Sequence, residues 1–377
     1  MNGRRLSLYL FILVTIVAAS CRNNRTPEDT SAGDTLSLKY SSNLTLVKYD
    51  GYTVATLKNP WKEGKTLHTY ILVPRDTEMP QDLPEGTVIR TPVKRAVVFT
   101  TVHCSLFMTL DKQDCIAGVA DLKYIKIPWI QQQCKDGKIA DCGEGLSPVV
   151  EKIIDISPDV LLISPFENSG GYGKLEEINI PIVECAEYME TSPLGRAEWM
   201  KFYGLLLGEE NKTERLFNEV DSSYQALKNV AKLSSVRQSV IFDKVTGSVW
   251  YVPGGKSTIG QMVADACANY PYASDEHSGS LALSFEAVLE KAGESDLWLF
   301  RYNSDREMTL RELLAEKPGY AQMKAFKTGN VYACNVAATL FYEETPFRPD
   351  HLLNDFIQIF HPEVSGLHPL RYYKKMK

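Results

Sequence analysis

The residue with the most definite chemistry is Cys21. Arg4 and Arg5 precede an apolar run from Leu8 to Ala19, the small residues Ala18, Ala19 and Ser20 close that run, and the cysteine follows directly. This order is a secretory signal with a thiol immediately behind its cleavage site. The run is shorter than the roughly 20 apolar residues that a transmembrane helix needs, and no second run of that length follows. Residues 1–20 are therefore expected to be removed, leaving Cys21 as the first residue of the mature chain.

Seven further cysteines are present: Cys104, Cys115, Cys134, Cys142, Cys185, Cys267 and Cys334. An odd number leaves at least one free. Export to an oxidising compartment permits disulfides, and Cys134 and Cys142, which bracket the turn-like Lys135-Asp136-Gly137, are the expected local pair. The only close cysteines lack CxxC spacing and the six histidines are scattered, so no metal site is expected. Gly254-Gly255-Lys256-Ser257 before a helix has the look of a phosphate cradle, but the full GxxxxGK[ST] pattern is absent. No Gly-x-Ser-x-Gly or His-Glu-x-x-His set occurs either, and the chain is not expected to be an enzyme.

Composition narrows the class. Hydrophobic residues make up 44% and aromatics 10% of the 377 residues, a globular balance, and the length favours two domains. A net charge of −6 with no basic block excludes nucleic acid as the partner.

The elements that must position any site fall into a sequence of textures. Residues 21–35 are polar and small, a flexible tether. From Leu36 to about Arg90, alternating Val, Tyr, Leu and Thr with Asp50-Gly51 as a turn predict antiparallel strands and a hairpin. Beyond Lys94 short apolar runs alternate with helical stretches, which is α/β punctuation. One unit occurs twice. Ser147-Pro148 opens a helix through Ile154, after which Asp159 leads into Val160-Leu161-Leu162-Ile163; Ser284 opens a helix carrying Glu286, after which Asp296 leads into Leu297-Trp298-Leu299-Phe300. Between them Ser192 to Gly208 reads as one mostly apolar helix of roughly 22 Å, long enough to join two lobes. A second helix, capped by Asn211, is expected to Lys232.

Four stretches carry a resemblance to the substrate-binding proteins of ABC importers for ferric siderophores, haem and vitamin B12. They are the leader with Cys21, which resembles the bacterial lipobox; Ser147 to Ile163; Pro193 to Trp199; and Leu352-Leu353-Asn354-Asp355 with Ile359-Phe360-His361-Pro362-Glu363. The resemblance implies an α/β fold of two lobes with central, mostly parallel sheets: an N-terminal lobe over 36–192 including the extra strands, a linking helix over 193–208 that restricts closure, and a C-terminal lobe over 209–377. It implies diacylglycerol on the Cys21 thiol and an acyl chain on its amine, which together hold the chain on a membrane of the cell envelope. It implies that Glu151 and Glu286 pair with arginines of a permease dimer in the inner membrane. The protein is then a monomer without an intrinsic cofactor, and its ligand is a ferric chelate, cobalamin or haem held between the lobes. Loops at the carboxyl ends of strands are where open α/β sheets bind ligands. They supply the expected cleft residues Thr101, His103, Tyr124, Trp129, Phe166 and Tyr172 from the first lobe, and Trp250, Tyr251, Tyr302, Tyr342 and Arg348 from the second. Their aromatic character suits a large, partly apolar chelate or macrocycle. A binding or relay lipoprotein that serves no permease is the alternative reading.

Overall fold

The computed structural model describes residues 33–167 and 171–377; Cys21 and the leader lie outside them. No helix among the described residues is long and apolar enough to cross a membrane.

A five-stranded sheet comes first: β1 (Asp34–Leu36), β2 (Leu44–Tyr49), β3 (Tyr52–Lys58), β4 (Thr66–Pro74) and β5 (Thr87–Thr91), in sequence order. The Asp50-Gly51 hairpin forms as expected, with Tyr49 paired to Tyr52 and Gly51 at φ +80°. The first four strands are antiparallel, but β5 joins β4 in parallel, because the long loop 75–86 carries the chain back to the start of β4.

The next sheet is wholly parallel and runs through β6 (Ala96–Val98), β7 (Ile116–Val119), β8 (Ala140–Asp141), β9 (Val160–Ile163) and β10 (Ile182–Glu184), in the order β10-β9-β6-β7-β8. Its strands are apolar on both faces, as a sheet covered by helices on both sides requires. Val98, Leu162 and Val160 face one core while Val97, Leu161 and Ile163 face another. The two cores explain why the expected disulfide is absent. Cys142 is fully buried in one and Cys134 packs against the other, so their thiols lie on opposite faces, and all seven described cysteines are free.

The C-terminal half repeats this plan with β11 (Val240–Phe242), β12 (Leu297–Tyr302) and β13 (Val331–Asn335) in parallel and β14 (Lys374–Lys375) antiparallel at the edge. An aspartate opens the equivalent strand in each half. Asp159 accepts the backbone N–H of Lys94 (2.7 Å) and Arg95 (3.1 Å) and meets Arg75 at 2.7 Å. Asp296 accepts Ser239 N–H and Oγ–H, both at 2.8 Å, and Lys324 Nζ at 2.7 Å. Burial works against ionisation of both, but these donors hold each carboxyl below its ordinary value. Each latch ties the strand after a helix to the strand at the centre or edge where its sheet begins.

The helices that bear on the site are α1 (Thr101–Thr109), α2 (Val150–Ile156), α3 (Pro193–Glu198), α4 (Met200–Leu207), α5 (Glu210–Leu233), α6 (Phe285–Ala292), α7 (Phe341–Glu344) and α8 (Pro349–Phe360). Thr100 caps α1, Ser192 caps α3 with Pro193 in the first turn, and Ser284 caps α6, each by accepting the N–H three residues on. Ser147 does not cap α2. It pairs with Glu144 in a short antiparallel bridge, and Val149 precedes the helix instead. Asn211 lies inside α5, which starts one residue earlier after Glu209. The connector between the halves is two helices, α3 and α4, meeting at Trp199, with Gly208 in the left-handed region (φ +69°) ending the second.

The connector is buried on nearly every side, and this burial includes two carboxylates. Glu198, with no exposed surface, accepts the backbone N–H groups of Lys39, Tyr40 and Ser41 at 2.8–2.9 Å. Glu190, just before the connector, accepts Asn43 N–H (2.9 Å), Ser41 Oγ–H (2.7 Å) and Trp199 Nε1–H (2.9 Å). Charge-assisted bonds of this kind make the burial of a carboxylate tolerable. The first sheet is fastened beside the connector. Tyr70 Oη accepts Glu184 N–H (2.8 Å) and donates to Ile182 O (3.0 Å), capping the open edge of the parallel sheet at β10.

Candidate functional site

At the carboxyl end of the N-terminal parallel sheet a cavity of about 600 Å³ opens to the surface. Phe99 and Thr100 reach it from behind β6, Asp121 from behind β7, Ile163 from the last position of β9, and Ser164 and Phe166 from behind it. These positions lie at or just past the carboxyl ends of their strands, so the sheet fixes where they stand. Gly145 to Pro148 form one wall, Tyr172 and Lys174 another, and Glu151 stands on the rim. Leu146, with 89% of its surface exposed, is an apolar side chain held open beside the cavity.

Of the expected cleft residues, Phe166 and Tyr172 line this cavity. Phe166 is half exposed, and Tyr172 donates through its hydroxyl to Glu184 (2.8 Å), which fixes the ring. Thr101 sits where the halves touch: its Oγ donates to Glu343 Oε1 (2.9 Å), a carboxylate of α7 that is itself buried. Tyr124 is exposed under Lys123, and Trp129 is half buried against the core. Tyr342 and Tyr251 are close to half exposed. Tyr302 is turned to its own loop, accepting Met308 N–H at 3.1 Å. Arg348 is held in a bidentate pair with Asp350, both bonds 2.9 Å, beside a separate pocket between α5, α8 and residues 365–371. Trp250 has no exposed surface; it packs against Phe285, Trp298 and Tyr320 and donates to Phe242 O.

His103 is also wholly buried. Its Nε2 lies 2.9 Å from the Tyr203 hydroxyl, which donates to Glu187 Oε2 at 2.9 Å, and its Nδ1 meets the Thr100 hydroxyl. Cys185 completes the group, with donor atoms of His103, Cys185 and Glu187 all within 4.8 Å of one another. Burial opposes the charge on His103, but Cys185 and Glu187 beside it outweigh this and push its pKa up to about 10. Burial likewise opposes ionisation of Glu187, and His103, Arg196 and the Tyr203 hydroxyl hold it down at about 2. Sequence spacing could not find this cluster, since His103 and Tyr203 are 100 residues apart. Asp121 and Lys174 were missed as well. Asp121 carries a readable signal, because it directly follows an apolar run and adopts φ +53° there.

Glu151 and Glu286 occupy the same place in their halves. Each is the second residue of its helix, α2 or α6, each is exposed, and neither has a salt-bridge partner among the described residues. Gly254 and Gly255 cradle no phosphate: the carbonyls of Gly279, His277, Asp275 and Ala273 crowd where their Cβ atoms would stand, and Ser257 is the N-cap of the helix that follows.

Relatives and solved structures share this fold. An uncharacterized lipoprotein of Methanocaldococcus jannaschii is 27% identical over 356 residues, covering 87% of this chain and 82% of its own. The petrobactin-binding protein of Bacillus subtilis is 28% identical over 150 residues, 39% of this chain and 45% of that one. Its crystal structure superposes with a TM-score of 0.55 at 19% identity, covering 80% of this chain and 98% of the other. A periplasmic haem-binding protein of Pseudomonas aeruginosa gives a TM-score of 0.57 at 16% identity over 76% and 98% of the two chains. These neighbours share the fold and are binding proteins, not enzymes. Residues 110–338, more than half of the sequence, match the profile described as periplasmic binding protein, and the chain belongs to that family.

Proposed function

We propose that this chain captures a ferric siderophore or a similar iron chelate against the cavity at the end of the N-terminal sheet and hands it to an ABC permease. The observation that carries the delivery step is the pair Glu151 and Glu286. Two exposed carboxylates at the same position of equivalent helices, with no partner within the described residues, suit arginines on a two-fold permease. The cavity supports the choice of ligand. Its volume, its rings Phe99, Phe166 and Tyr172, and Lys174 beside them fit a bulky chelate with anionic groups better than an amino acid. The similarity to a petrobactin-binding protein points the same way. Haem is less well served, because the buried His103 has no free face to offer its iron. The lipidated Cys21 holds the receptor, as a monomer, beside the membrane of its permease.

Fluorescence titration with ferric siderophores, cobalamin and haem tests the ligand, with half-buried Trp129 as the reporter. Quenching by cobalamin or haem alone would overturn the iron-chelate reading. Glu151→Arg with Glu286→Arg should abolish uptake in cells while leaving chelate affinity unchanged. Unchanged uptake by that double variant would favour a stand-alone relay.

A further inference from the structure

We propose that His103, Cys185 and Glu187, with the Tyr203 hydroxyl beside them, form a built-in site for a tetrahedral divalent metal of the zinc class, separate from any metal carried by the ligand. Three donors of zinc-binding type converge with their ligand atoms within 4.8 Å of one another. Zinc stands about 2.0–2.3 Å from such donors, so two ligands at a tetrahedral angle lie roughly 3.3–3.8 Å apart. His103 Nε2 and Glu187 Oε2 are 3.6 Å apart. The Tyr203 hydroxyl hydrogen-bonds both, 2.9 Å from each, and holds these two donors at that spacing, leaving the fourth corner open.

The surroundings are those a metal site needs. Thr100 Oγ stands against His103 Nδ1, where it can accept that N–H and leave the Nε2 lone pair for the metal. The three donors have 2% exposure or less, so no water competes for the open corner. Charge also balances. One divalent ion enters as two protons leave to solvent, one from the Cys185 thiol and one from the His103 imidazolium, so the net charge of the buried cluster does not change. The cluster joins the end of β6, the end of β10 and the connector helix α4, and Phe347 of the C-terminal half meets the His103 ring edge-on at 6.2 Å. A metal here would pin the N-terminal half to the connector whatever the cavity binds, so the site stands independently of the proposed function.

The test is the full chain unfolded and refolded with cobalt in place of zinc, since a closed site must load as it folds. The expected result is about one metal per chain, a thiolate-to-cobalt charge-transfer band, and a higher melting temperature than the chain refolded with a chelator. Cys185→Ser should keep its circular dichroism and lose the band. His103→Gln, which retains a hydrogen-bonding side chain toward Tyr203, should lose most of the bound metal. A folded chain that takes up no metal, or cobalt bound without a thiolate band, overturns the proposal. If Cys185→Ser fails to fold, the spectrum of the unaltered chain decides alone.

Discussion

The two halves share a frame and differ in what they place at the end of it. Each opens its second-stage strand with an aspartate latch, Asp159 or Asp296, and each sets a free glutamate on the second residue of the preceding helix. Beyond the strands they diverge. The N-terminal sheet ends in an open cavity, whereas in the C-terminal half Trp250, Trp298, Tyr320 and Phe285 pack on one another beside β12. A partner outside the molecule sees near-symmetry. Aromatic residues that look equivalent in the two halves therefore differ in place: Phe166 and Tyr172 line the cavity, whereas Trp250 fills the core of its half.

That contrast can be broken by substitution, and the largest effect should come from the filled side. Trp298 has no exposed surface and donates Nε1–H to Asp243 O at 2.7 Å. Trp298→Ala should cost about 3–5 kcal/mol in denaturant unfolding; a loss below about 1 kcal/mol would mean that this cluster is not the core of its half. The latches should give an intermediate and matched effect. Both carboxyls are held below their ordinary value of 3.8, so the stability they contribute is present above that pH and is lost as pH falls through the lower folded value. Asp159→Asn and Asp296→Asn should each lose about 1 kcal/mol near neutrality, because both side chains are partly solvated, and each should flatten the acid limb of the stability curve. Unequal slopes for the two variants would show that the halves are not built alike. The smallest effect on stability belongs to Phe166→Ala, within about 0.5 kcal/mol, yet this change should weaken chelate binding about tenfold. Unchanged affinity by titration would remove Phe166 from the site.

Much of this contrast is written in the sequence, but only in part. The repeated helix, aspartate and strand could be read because apolar runs and cap residues are local signals, as Ser192 and Ser284 show. Ser147 was a false cap, because a two-residue pairing with Glu144 took its place before the helix began. Trp250 and Tyr251 were both expected in the cleft, yet neighbours on a strand point to opposite faces, so one had to turn inward. Composition could not say which one. Cys134 and Cys142 lie eight positions apart but on opposite sides of a sheet whose order is set by non-local pairing. The same non-locality hid the cluster of His103, Cys185, Glu187 and Tyr203, which only the folded chain assembles.

The grip of Glu198 and Glu190 on residues 39–43 has a mechanical meaning. A pull on residues 39–43 meets these two buried carboxylates as well as the β1–β2 ladder that precedes them.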